Sequence, residues 1–105
     1  MAKFGLIYRG AKPFPSREDG MAHMANWKAW AEGLGKAYIY PGMPFSAAMT
    51  VAADGVTEGS GAVALNGVSV IEAESMEAAL AIAKSCPHLN TGGDIVVAQG
   101  MDMEM

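Results

Sequence analysis

The chain's one cysteine, Cys86, stands two residues before one of its two histidines, in "AKSCPHLNTGGDIVV". Residues of these types and spacing could be nucleophile and base, or half of a metal site. A nucleophilic cysteine must reach its thiolate, which a helix N-terminus or a nearby cation favours. Helical spacing instead puts Cys86 at a helix C-terminus, where the backbone dipole opposes negative charge. Two ligands without a second Cys/His pair fall short of a metal site, so no metal and no cofactor is expected. Cys86 reads as a small buried hydrophobe, and His88 as a side chain that interacts with the last carbonyls of its helix.

The other histidine, His23, lies in "SREDGMAHMANWKAWAEGLG". It is the candidate general base if the chain is an enzyme, while a solvent-facing pair of His23 and Asn26 is the plainer reading. Trp27 and Trp30 are three residues apart and therefore neighbours on a helix. With Tyr8 and Tyr38 from strands, they are candidate walls of an apolar ligand pocket. Packing in the core, or between two copies of the chain, accounts for the same two indoles. Arg9 reads as a surface ion-pair partner, and Glu72 and Glu74 as strand-end solvation. Gly59–Gly61 lacks the strand–helix context and the lysine of a phosphate loop and reads as a flexible connection.

Alternation of side chains marks the elements that position these residues. Lys3–Gly10 is a strand with Phe4, Leu6 and Tyr8 on one side. Two prolines in "GAKPFPS" end it. Ser16 caps a helix with Met24, Trp27, Ala31 and Leu34 as its inward stripe, and Gly33 and Gly35 stop it. Ala37–Tyr40 is a second strand, ended by Pro41-Gly42. Asp54-Gly55 turns a hairpin-like excursion. Asn66–Ala73 is a third principal strand. Ser75 caps a second helix whose face is Met76, Ala79, Leu80 and Ala83, and Pro87 closes it. Gly92-Gly93 leads into a last strand, Asp94–Gln99. The tail 101–105 is expected to be disordered unless it docks.

Two strand–helix–strand units make an α+β, ferredoxin-like βαββαβ sandwich, with both helices on one face of the sheet. The strands are nevertheless apolar on both sides: Val68 and Val70 alternate with Ile71 and Ala73, and Val96 and Ala98 with Ile95 and Val97. An antiparallel sheet with one wet face alternates apolar with polar instead. A second copy, packed with two-fold symmetry against the uncovered face, resolves the difficulty. At about 25 cal/mol per Å² of apolar area, leaving that face wet forgoes several kcal/mol.

Composition agrees with this. At 105 residues the chain is long enough for one domain, residues 1–105, with its own core. Hydrophobic residues make up 51% and charged residues 17%, a small charged share for so much exposed surface. A net charge of −4 with scattered cations excludes nucleic acid as the expected partner. No apolar run approaches the length of a membrane span, and a single cysteine suits a reducing compartment, so cytoplasmic residence is expected.

The segment "LNGVSVIEAESMEAALAIAKSCPHLNTGGDIVV" resembles the second half of the YCII-related (DGPF-like) family. The shared features are a strand ending in an acid, a Ser-capped alanine-rich helix, a Cys-Pro ending and a Gly-Gly strand entry. "FGLIYRG" and the Trp-bearing helix fit the first half. The resemblance covers about residues 3–100 and implies a homodimeric α+β barrel with a pocket between helix and sheet. Some members of the family carry a histidine on the first helix that acts with an acid. Trp27 stands at that position here, with His23 one turn earlier, and of the Asp-Gly-Pro-Phe loop only Asp54-Gly55 remains. The expected function is accordingly the binding of a small organic molecule in the helix–sheet pocket. The alternative is a small cofactor-free enzyme acting on a small organic substrate, with His23 as base and Tyr8 and Trp27 positioning the substrate.

Overall fold

A computed structural model describes residues 1–102. The first strand, β1 (Ala2–Arg9), buries Phe4, Leu6 and Tyr8 and turns Gly5 and Ile7 the other way. It is followed by α1 (Arg17–Leu34), a 3₁₀ turn (Gly35–Ala37) and β2 (Tyr38–Pro44). A small hairpin, β3 (Met49–Ala52) and β4 (Gly55–Glu58), precedes β5 (Leu65–Ala73). The chain closes with α2 (Met76–Lys84), a second 3₁₀ turn (Pro87–Thr91) and β6 (Asp94–Gln99). Four strands form one antiparallel sheet in the order β2-β5-β1-β6. With the hairpin set aside, this is the expected α+β, ferredoxin-like βαββαβ arrangement. Of the tail 101–105, expected to be disordered, residues 103–105 lie outside the described residues.

Local chemistry explains the helix limits. Ser16 Oγ accepts the Asp19 N–H at 3.1 Å, and Ser75 Oγ accepts the Ala78 N–H at 3.1 Å. Each cap contributes about 1 kcal/mol. The alanines 79 and 83 are buried against the sheet, and their small side chains let α2 sit close to it. Met76 and Leu80, expected on that face, lie 36% and 40% exposed. The inward side of α2 is instead Ala79, Ile82 and Ala83, three and four residues apart on one face. On α1 the inward side carries His23, Trp27, Trp30 and Leu34, all half-buried. Met24, expected in that stripe, is 67% exposed because it stands at the edge of the face, over open space rather than core.

The second strand is longer than expected. Pro41-Gly42 does not end it, because β2 is an edge strand where a missing N–H breaks no ladder. The pairing with β5 shifts register on either side of Tyr40, so the strand bulges rather than stops. Gly42 makes this possible. Its φ of 83° suits glycine, and a Cβ there would run into the Val68 carbonyl.

Among the described residues, only one face of the sheet is covered. Ile7, Val68 and Val70 lie half-buried on the other side, with Val96 40% and Met43 54% exposed. The smallest dimension of the molecule is 18 Å, the depth of one helix layer on one sheet. Its radius of gyration is 15.0 Å, against about 13 Å for a compact chain of this length. Flatness and the projecting hairpin both contribute. All eight residues of β3 and β4 are exposed, and those strands pair only with each other.

Two glycines should respond in opposite directions. Gly42→Ala is expected to destabilise by roughly 3 kcal/mol, through backbone strain and the Val68 collision. Gly33→Ala, with open space at its Cβ in the last turns of α1, should stabilise by about 0.5–1 kcal/mol. Urea unfolding of the two variants beside the wild type measures both.

Candidate functional site

Between the N-terminal half of α1 and the sheet lies a cavity of about 310 Å³. Its floor is the end of β5 and the neighbouring part of β2, where Gly67 sits opposite Tyr8 and brings no side chain to fill the space. The Tyr8 ring meets Trp27 edge-on, with centroids 4.9 Å apart, and His88 at 5.3 Å. His23 stands nearer the mouth, 5.0 Å from the Phe14 ring and 5.8 Å from Trp27. The walls are thus aromatic and the lining is mainly apolar.

The polar groups are few, and several are held by hydrogen bonds. Tyr8 donates its hydroxyl to Ser69 Oγ at 2.8 Å, and Ser69 in turn donates to the Pro41 carbonyl at 3.0 Å. Tyr38 donates to the same carbonyl at 3.0 Å. Burial pushes the Tyr8 phenol well above its ordinary value, so it stays neutral. Asn66 Oδ1 accepts the Ala11 N–H at 2.9 Å, which fixes the amide's orientation and leaves its NH₂ as a spare donor at the cavity.

His88 is 3% exposed and lines the same space. Its Nε2 lies 2.9 Å from the Arg9 carbonyl oxygen. A carbonyl only accepts, so Nε2 carries the proton and the neutral ring keeps a lone pair on Nδ1. Nδ1 has no hydrogen-bond partner among the described residues, yet it is not sealed from solvent. The histidine at the mouth, His23, is held below its ordinary value by burial first and by the neighbouring His88 second. No carboxylate lines the cavity among the described residues.

Of the residues singled out from sequence, Tyr8, His23 and Trp27 line this cavity, and Trp30 and Tyr38 do not. Trp30 packs edge-on between Trp27 and Tyr38 at 5.5 and 5.6 Å and donates its indole N–H to Ser85 Oγ at 3.0 Å, pinning α1 to the end of α2. Tyr38 acts from behind the floor, through Pro41 and Ser69. Asn26 is exposed. Cys86 is buried, and that burial pushes its thiol up to about 11, only partly offset by the backbone N–H of His88. Arg9 makes a two-pronged ion pair with Asp94, at 2.9 and 3.0 Å.

His88 requires a correction. It does not contact the last carbonyls of α2 but bonds the carbonyl that ends β1, 79 residues away in the chain. The signal was available: β6 must return beside β1, so the turn that precedes β6 must cross the end of β1, where Tyr8 already faced inward. Phe14 and Asn66 were also missed, since both lie in segments read only as loop or strand start.

No family model matches the sequence, and no curated protein matches it. Among solved structures, the chain is similar to 5-chloro-2-hydroxyhydroquinone dehydrochlorinase (TftG) from Burkholderia phenoliruptrix AC1100, in complex with 2,5-dihydroxybenzoquinone. The TM-score is 0.57 and the identity 19%, over 97% of this chain and 95% of that one. At that identity the likeness establishes a common fold.

Proposed function

We propose that the protein binds a small, flat, largely apolar ring compound bearing a hydroxyl or carbonyl group in the cavity between α1 and the sheet. One observation carries this reading: a void of about 310 Å³ is walled by the rings of Tyr8, Phe14, Trp27 and the two histidines. That volume is at the small end of ligand sites and suits a single substituted ring. No carboxylate, lysine or arginine lines it among the described residues, which suits an uncharged ligand.

A second reading, a small cofactor-free enzyme, also has support. The dehydrochlorinase that shares the fold is named for a hydroxyhydroquinone and was solved with a dihydroxybenzoquinone. Two histidines border the cavity here, and either could move a proton from a ring hydroxyl.

The same proposal covers family and assembly. The fold held in common with that enzyme, the Cys-Pro that follows α2 and the Gly-Gly entry to β6 support membership of the YCII-related family, with residues 1–105 as its one domain. Two copies packing through the open sheet face would shelter Ile7, Val68, Val70 and Val96. One buried free cysteine suits a reducing cytoplasm, and no helix of the described residues is long and apolar enough to cross a membrane.

Ring compounds such as phenol, hydroquinone and 4-hydroxybenzaldehyde should raise the melting temperature, whereas aliphatic alcohols of similar size should not. At ten times its Kd a ligand should add about 1.4 kcal/mol of stability. Ala11→Trp, which fills the cavity from the β1–α1 loop, should fold and lose that response. A folded Ala11→Trp protein that responds like the wild type would show that the compounds bind elsewhere. For the assembly, sedimentation of the wild type should give dimers and Val70→Lys monomers. Ile71→Lys, which puts a charge at a position 0% exposed, should not fold at all. Wild-type monomers that remain stable at high concentration would refute the sheet-to-sheet dimer.

A further inference from the structure

Resting on that ring-binding reading, we propose that Nδ1 of His88 accepts a hydrogen bond from a hydroxyl of the bound ring, so that the cavity selects phenols over the corresponding ethers. The side chain is more than nine-tenths buried, and its Nε2–H is committed to the Arg9 carbonyl. Nδ1 is therefore an acceptor in the neutral ring. It has no protein partner among the described residues, it is not sealed from solvent, and His88 is one of the residues that line the cavity.

The surroundings hold the ring in this orientation. Gly93 passes close by: a side chain there would collide with the Arg9 carbonyl and bring its Cβ within 2.8 Å of His88 Nε2. Tyr8 packs against the imidazole, and its own hydroxyl proton is spent on Ser69. His23 is also an acceptor, but it stands half-exposed at the mouth, where water competes for it. Asn66 supplies a donor, which suits a carbonyl elsewhere on the ligand. An ether would leave the sheltered Nδ1 lone pair without a partner, and an unmade hydrogen bond at a desolvated acceptor costs more than a made one contributes.

The test compares 4-hydroxyacetophenone with 4-methoxyacetophenone by calorimetry at neutral pH. The wild type should bind the phenol about tenfold or more tightly than its methyl ether. His88→Gln retains an amide N–H where Nε2 bonds Arg9 and loses the acceptor at Nδ1, so the preference should vanish while the fold survives. His88→Asn places an amide oxygen near Nδ1 and loses the Arg9 bond, so it should keep the preference and lose stability. A purely structural His88 gives the reverse, with Gln resembling the wild type. Equal binding of both compounds by the wild type refutes the Nδ1 assignment and leaves ring binding standing. Binding of neither refutes both. Nitrogen-15 spectra of the wild type supply a second reading that needs no variant. Nδ1 should be unprotonated, and its resonance should move with the phenol but not with the ether. A protonated Nδ1 beside a bare Nε2 overturns the proposal.

Discussion

Everything at the site follows from how β1 and β5 face each other on the helix side of the sheet. Phe4 pairs with Ile71, Leu6 with Ser69 and Tyr8 with Gly67. Along that ladder the β5 side chain shrinks from isoleucine to serine to nothing, while β1 presents a large side chain at every step. The core is consequently solid at the Phe4 end, where α2 lays Ala79 and Ala83 on it, and hollow at the Tyr8 end. A void of this kind loses dispersion contacts on one side, and here the aromatic rings of α1 and the imidazole of His88 frame it without filling it. Ser69, midway along the taper, is a buried polar group that stays paired because Tyr8, Tyr38 and the Pro41 carbonyl all converge on it.

This taper also explains what could be read from the sequence. Alternation in "KFGLIYRG" and "NGVSVIEA" announces which residues share a face, because the period of a strand is two whatever its neighbours. The order of elements then gives the ferredoxin-like arrangement. Register is not in the pattern of either strand alone. The pairing of Tyr8 with Gly67, and so the position of the hollow, appears only when the strands are set side by side. Tyr8, His23 and Trp27 were reachable as an aromatic group on adjoining elements. Trp30 and Tyr38 belong to the same ring-rich neighbourhood but lie toward the filled end. His88 was weighed against its own helix, since sequence proximity was the only neighbourhood visible; its partner comes from the opposite end of the chain.

The uncovered face obeys a related limit. Two helices, of 18 and 9 residues, lie on one side of the four strands. On the bare side an apolar middle of Ile7, Val68, Val70 and Val96 is bounded by Lys3 across from Glu72 at one end and Arg9 across from Asp94 at the other. A face with charges only at its margins resembles the centre and rim of a protein interface more than a solvated surface. A two-stranded ribbon with every residue exposed is marginal in water, and Met49, Val51 and Val56 are at least 59% exposed on it.

Arg9 links the bare face of the sheet to the cavity. Its guanidinium grips Asp94, the first residue of β6, on the bare side of the sheet, while its backbone carbonyl holds His88 at the cavity. The Asp94 side chain is 60% exposed and that of Arg9 34%, and a pair so open to water adds little stability by itself. Its effect is on register: with Arg9 opposite Asp94, the preceding Gly92-Gly93 turn must pass beside the Arg9 carbonyl, and the imidazole must lie where Nε2 reaches that oxygen. Which nitrogen of His88 carries the proton is therefore decided by the alignment of β1 with β6. The hydrogen-bonding character of the site is thus a consequence of strand pairing, and a slip of β6 by one residue would turn Ile95 and Val97 away from the core and draw His88 off its Arg9 partner together.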